Sequence, residues 1–156
     1  MAIPGNAIRI RPAGPDDAGT VHRLLRDLAA ALGKSGDLRS TPGDIARFGF
    51  GERPFFEAVL AWCDGEAVGL AVYFFEFSTW RGQPGVYVQD LYVAPAMRGR
   101  GLGRDLIGAV RERAARDGAR YVKLTVYDRN PQALAFYHGI GFESCEDELP
   151  LVLRER

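Results

Sequence analysis

The chain is poor in lysine, histidine, tryptophan and cysteine, and it has no excess of either charge. Lys34 and Lys123 are the two lysines among twenty basic residues, and twenty acidic residues cancel the whole set. That balance removes the broad positive field on which non-specific nucleic-acid binding depends, so any anion must be met by a local arrangement. No apolar run approaches the roughly 20 residues that cross a bilayer, which excludes a membrane-spanning helix. The opening stretch MAIPGNAIRIRPAGPDD contains neither an apolar core nor a small-residue cleavage site, and a cytoplasmic protein is expected. Cys63 and Cys145 lie far apart without a Cys-x-x-Cys, and His22 and His138 stand elsewhere, so neither a zinc site nor a disulfide framework is expected. Both thiols are expected to be buried and reduced.

What is present is the ordinary apolar content of a soluble protein in 156 residues, the size of one domain with a single core, over 1–156. IRIRPA alternates apolar and charged residues as a strand does, and Asp16 or Asp17 then opens a helix with Val21, Leu24, Leu25, Leu28 and Leu32 on one face. Gly33 ends it. A second, short helix follows a Ser or Thr cap, with Pro42 in its first turn. Two β-rich runs meet at Asp64-Gly65, a pair suited to a tight hairpin turn, and GVYVQDLYVAP is a further strand. Leu102, Leu106, Ile107, Val110 and Ala114 mark the apolar face of a third helix, stopped at Asp117-Gly118. RYVKLTVYD reads as a strand, RNPQALAFYHGIGF as a helix capped by Asn130 and ended at Gly139, and SCEDELPLVLRER as one or two closing strands. The order β-α-α-β-β-β-α-β-α-β-(β) implies an α/β or α+β domain around a mixed sheet.

The densest chemical signal is Arg98 to Arg104, RGRGLGR, at a strand-to-helix junction. Gly99, Gly101 and Gly103 allow sharp turning and close approach of a ligand, and the first amides of the helix point outward with the positive end of its dipole. Arg98, Arg100 and Arg104 add charge, so the loop is a cradle for phosphate or pyrophosphate. It is not a Walker A loop, because no Gly-Lys-Ser/Thr occurs, and the glycine spacing is not the dinucleotide fingerprint.

With VYVQDLYVAP before this R-x-x-G-x-G loop and NPQALAFYHGIGF after it, the chain resembles the GCN5-related N-acetyltransferase (GNAT) superfamily over almost its whole length. FFEFSTWRGQPGVYVQDLYVAPAMRGRGLG and TPGDIARFGFGERPFFEAVLAW look most like the branch of the diamine (spermidine/spermine) and thialysine acetyltransferases. The resemblance implies a mostly antiparallel sheet of six to seven strands with about four helices, and acetyl transfer from acetyl-CoA to a primary amine of a small molecule, without a metal. It implies that the backbone of Leu91, Tyr92 and Val93 pairs with the pantetheine arm, that residues Arg98, Gly99, Arg100, Gly101, Leu102, Gly103 and Arg104 take the pyrophosphate, and that Asn130 and Ala133 border the acetyl end. A homodimer is common in that branch, often through C-terminal strands.

Tyr137 follows Asn130 by seven residues, about two helical turns, which puts both on one side of the helix. A phenol of pKa roughly 10 can protonate a departing thiolate, so Tyr137 is the expected general acid. An alkyl ammonium of pKa roughly 10.4 must lose its proton, and Asp90 is the expected base, with Glu76 as another candidate acting through water. Asp90 has a second reading, a carboxylate satisfied by backbone N–H groups at a strand bulge. The chain departs from the polyamine enzymes at Gln89, where they carry an acid, and at AAALGKSG, where they carry another. Both changes remove negative charge, and a monoamine, an amino acid derivative or an amine with an uncharged tail fits better. Trp80, Phe74 and Phe77 are candidates for walling that pocket. Two other readings stay open: an acyl-CoA-binding sensor without catalysis, and an acetyltransferase acting on a protein or peptide.

Overall fold

A computed structural model describes residues 7–145 and 147–155. These fall into two compact units, one ending at Leu124 and the other beginning at Thr125.

In the first unit β1 (Ile8–Pro12), β2 (Glu57–Cys63), β3 (Glu66–Ser78), β4 (Gln83–Val93) and β5 (Val122–Lys123) form one sheet in sequential order. The first four strands run antiparallel, and β5 lies parallel to β4. Helices α1 (Ala18–Ala31) and α2 (Pro42–Phe50) cover one face, where Val21, Leu24 and Ile45 pack with Leu60, Leu70, Val72 and Tyr92. Helix α3 (Leu102–Arg116) covers the other, and all five apolar positions read from its periodicity are buried.

Local chemistry sets the ends of these elements. Asp17 does not cap α1 with its side chain; its carboxylate instead accepts the Gly14 N–H at 2.8 Å and a two-pronged bond from Arg11 at 2.7 and 3.0 Å. This closes a short 3-10 turn that feeds the helix, and the contact with Arg11 holds the carboxyl below the usual range. Thr41 caps α2 by accepting the Asp44 N–H, while Asp44 accepts the Thr41 N–H in return. Buried His22 reaches the carbonyl of Ser40 at 2.7 Å and ties α1 to the start of α2. Asp64 and Gly65 both take positive φ, 50° and 80°, as a type I′ turn requires.

The second unit contains α4 (Pro131–Gly139). Asn130 caps it, accepting the Ala133 N–H at 3.1 Å. Gly139 remains inside the helix, and the left-handed position falls at Gly141, φ 105°.

The mixed α/β class and its four longer helices agree with expectation, but among the described residues the sheet has five strands, not six or seven. The closing strands do not form there, and the expected strand at RYVKLTVYD is reduced to Val122–Lys123. Glu146 and Arg156, part of the expected closing segment, lie outside the described residues. Cys63 is buried as expected, whereas Cys145 is exposed.

Gly85 of β4 has the Tyr121 ring directly over its backbone, where a Cβ would overlap the ring atoms. Gly85→Ala is expected to push Tyr121 aside and cost about 1–3 kcal/mol, the usual price of overpacking, measured by urea unfolding.

Candidate active site

The site begins with a defect in β4. Along the β3/β4 ladder Val72 stands opposite Asp90, and Tyr73 opposite Val88, so Gln89 is an extra residue without a partner. A bulge of this kind bends the strand and re-aims the residues beyond it. Its result is specific: Asp90 shares a face with Val72, the face covered by α1 and α2.

The same strand loses its neighbour on the other side. β4 pairs with β5 only at Val86↔Val122 and Tyr87↔Lys123, so residues 88–93 have no strand partner on that edge among the described residues. Leu91, Tyr92 and Val93 lie on this stretch, opposite Ala71, Leu70 and Gly69 of β3. Tyr92 is buried in the core with α1, while Leu91 and Val93 are half-buried. An extended ligand can add to such an edge as a strand does.

Asp90 is half-buried at the bulge. Burial pushes its carboxyl up to about 6, and no hydrogen bond or neighbouring charge offsets that among the described residues. The alternative of a carboxylate satisfied by backbone N–H groups is therefore not what the fold provides. A carboxylate with this pKa is mostly ionised at neutral pH yet retains basicity, as proton transfer requires.

Past Val93 the chain makes a short 3-10 turn at Pro95–Met97 and enters the glycine loop. Buried Met97 anchors the turn, and Arg98 donates from Nε to the carbonyl of Val93 at 3.0 Å, fastening the loop to the end of β4. Gly99 and Gly101 take φ of 75° and 81°, and open space surrounds the point where each would carry a Cβ. The first α-helical bond of α3 runs from the Asp105 N–H to the Gly101 carbonyl at 3.0 Å. The amides of Leu102, Gly103 and Arg104 thus stand ahead of the ladder, pointing out of the helix with its positive end. Arg98, Arg100 and Arg104 are all exposed around them. A diphosphate suits this donor set, since backbone amides, helix dipole and guanidinium groups all favour the same charge.

Glu76 stands opposite Gly85 on β3, near the other end of the strand pair from Asp90, and its carboxylate hydrogen-bonds the Tyr121 hydroxyl. Gln89 is exposed at the bulge, and Trp80 is fully exposed in the β3/β4 connection. Phe77 is also largely exposed. Phe74 stacks at a tilt on Tyr87, ring centroids 5.2 Å apart. That Tyr87 shares a face with Asp90 was not legible in the sequence, because simple alternation puts residues 87 and 90 on opposite faces.

In the second unit Asn130 and Ala133 spend their side-chain oxygen and amide on each other, capping α4. Tyr137 is half-buried two turns on, with edge contacts to Phe136 and Phe142 at 5.1 and 5.4 Å. Among the described residues no cluster of His, Cys, Asp and Glu could hold a metal ion, and no helix is long and apolar enough to cross a membrane.

The profile described as the acetyltransferase (GNAT) family matches residues 23–142. A thialysine N-epsilon-acetyltransferase of Mus musculus is 36% identical over 147 residues, covering 89% of this chain and 86% of the relative. That of Bos taurus is 34% identical over 148 residues, covering 90% and 86%. A solved aminoglycoside N-acetyltransferase in complex with CoA shares the fold with a TM-score of 0.79 at 20% identity, over 100% of this chain and 99% of that one.

The raised pKa of Asp90 has a consequence for stability. Folding favours the protonated form, so the penalty is absent below the unfolded value of about 3.8 and complete above about 6. Stability should fall as pH rises through that window, by on the order of 1–3 kcal/mol. Asp90→Asn is expected to be more stable than the wild type at pH 8 and equal to it near pH 4, in urea unfolding across the range.

Proposed function

Since the chain belongs to the acetyltransferase (GNAT) family and is an N-acetyltransferase, we propose that it acts in the cytoplasm, moving an acetyl group from acetyl-CoA to a primary amine of a small molecule with both substrates bound together. The observation that carries this reading is the half-open, bulged β4: among the described residues, an unpaired edge at residues 88–93 beside the Asp90 carboxylate. Relatives named for acetylating the ε-nitrogen of thialysine support an amine acceptor of low mass.

Acetyl-CoA supplies the activated acyl carbon, and the chain supplies position and proton traffic. The amides of Leu102, Gly103 and Arg104, with Arg98, Arg100 and Arg104, hold the diphosphate; the open space at Gly99 and Gly101 is where a side chain would otherwise block it. The edge of β4 at Leu91, Tyr92 and Val93 binds the extended arm, and an N–H there polarises the thioester carbonyl. Asn130 and Ala133, at the start of α4, border the arm near its acetyl end. Asp90 takes the proton from the acceptor ammonium, directly or through a water. The amine nitrogen then bonds to the acyl carbon as the carbon–sulfur bond breaks; the nitrogen's second proton leaves to water as the amide forms, and Tyr137 gives a proton or a hydrogen bond to the departing sulfur and is reprotonated from water. Gln89, Glu76 and Trp80 lie toward the acceptor. The functional unit is a homodimer, supported by the exposed apolar run Leu149, Leu151, Val152 and Leu153.

A thiol-release assay over a panel of amines tests the reading. Tyr137→Phe is expected to lower kcat about 100-fold, the scale of general acid catalysis. The kcat/KM profile should fall below about pH 6, following Asp90, and lose that limb in Asp90→Asn. Tight acetyl-CoA binding in calorimetry without turnover of any amine would replace the enzyme reading for small amines with a sensor or a macromolecular acceptor. Sedimentation should give twice the 17.1 kDa chain mass; a monomer at micromolar concentration overturns the dimer.

A further inference from the structure

Because Gln89 is extruded, Asp90 and Tyr87, three apart in sequence, point to the same face of the sheet. Asp90 faces Val72 across the ladder, and in the next row Tyr87 faces Phe74. The two rows are about 7 Å apart, two residues at roughly 3.4 Å each. A half-buried carboxylate thus adjoins a tilted pair of aromatic rings, both half-buried and 31° from coplanar. One row further, Glu76 faces Gly85, with the Tyr121 ring over the glycine and its hydroxyl on the Glu76 carboxylate.

This sequence of rows selects among acceptors. The row beside Asp90 offers the π faces of Phe74 and Tyr87, and at its β5 end the register partner of Tyr87 is the cationic Lys123. The next carboxylate already accepts the Tyr121 hydroxyl, in a neighbourhood where the charges of Lys123 and Arg81 are felt. A second ammonium on the acceptor would leave water for aromatic surface and then meet cations. A ring or other apolar body gains contact area and the offset geometry that aromatic pairs favour. In an arylalkylamine with a two-carbon spacer, nitrogen and ring centre are separated by roughly 5 Å, comparable with the spacing between the rows.

Resting on the amine-acetyltransferase reading above, we propose that Phe74 and Tyr87 are specificity-determining residues that seat an aromatic or compact apolar group carried about two carbons from the reacting amine. The preferred acceptor is an arylalkylamine, in contrast to a linear diamine.

The test compares 2-phenylethylamine, n-butylamine and 1,4-diaminobutane as acceptors for the full chain with acetyl-CoA, together with binding of 2-phenylethylamine by calorimetry in the presence of CoA. The wild type should favour 2-phenylethylamine over both others in kcat/KM. Phe74→Leu and Tyr87→Leu keep apolar volume but remove one ring; each should shrink the ratio of 2-phenylethylamine to n-butylamine roughly three- to tenfold through KM, the worth of one aromatic contact. Tyr87→Phe should preserve the ratio. Preference for the diamine, or equal loss for all three acceptors in both variants, overturns the proposal. So does absence of 2-phenylethylamine binding, whatever is acetylated. Binding of 2-phenylethylamine that weakens in Tyr87→Leu, with no amine acetylated, supports the aromatic seat and overturns the transfer reading alone.

Discussion

One residue without a partner in β4 organises the rest of the site. An antiparallel ladder alternates its side chains strictly, and the extrusion of Gln89 shifts that alternation by one step. Before the bulge Val88 points to the α3 face; after it Asp90 and Tyr92 point to the α1 and α2 face. The added twist at a bulge also favours divergence from a neighbouring strand, in keeping with β5 pairing only two residues before the bulge. A carboxylate aimed to one face and a backbone edge left open are thus both found at the same short stretch.

The charges of the site fall into two environments. Asp90 is one carboxylate held away from water with its proton affinity raised, and it acts over a few ångströms on whatever lies against it. The arginines of the glycine loop are exposed, so water and salt screen their reach, and their selectivity comes from the backbone amides they surround. Arg98 joins the two: its Nε is fixed on the Val93 carbonyl, so the guanidinium has a set orientation where the strand ends and the loop begins.

How much of this could be read from the chain depended on the range of the forces involved. The face of α3 was legible because five apolar residues at helical spacing admit one arrangement, and all five are buried. Asp64-Gly65 was legible because few residue pairs accept two positive φ values in succession. The glycine loop stood out for the same local reason. The bulge was not legible, since nothing in VYVQDLYV distinguishes a regular strand from one with an extra residue; register is decided by the partner strand. The face that Tyr87 shares with Asp90 was hidden for the same reason, and an aromatic side chain near a hairpin, such as exposed Trp80, carries no signal of which way it turns. The length of β5 likewise depends on where β4 diverges, a tertiary property.

The exposed thiol of Cys145 bears on how this enzyme is handled at the bench. Reagents that detect liberated CoA by its sulfur will also titrate an accessible cysteine, giving a burst proportional to protein and unrelated to turnover. In air the same sulfur can link two chains covalently, so a species of double mass in a buffer without reductant would carry no information about the native assembly. Buried Cys63 is shielded from both reactions. Replacing Cys145 with serine would leave a protein whose released sulfur is all coenzyme.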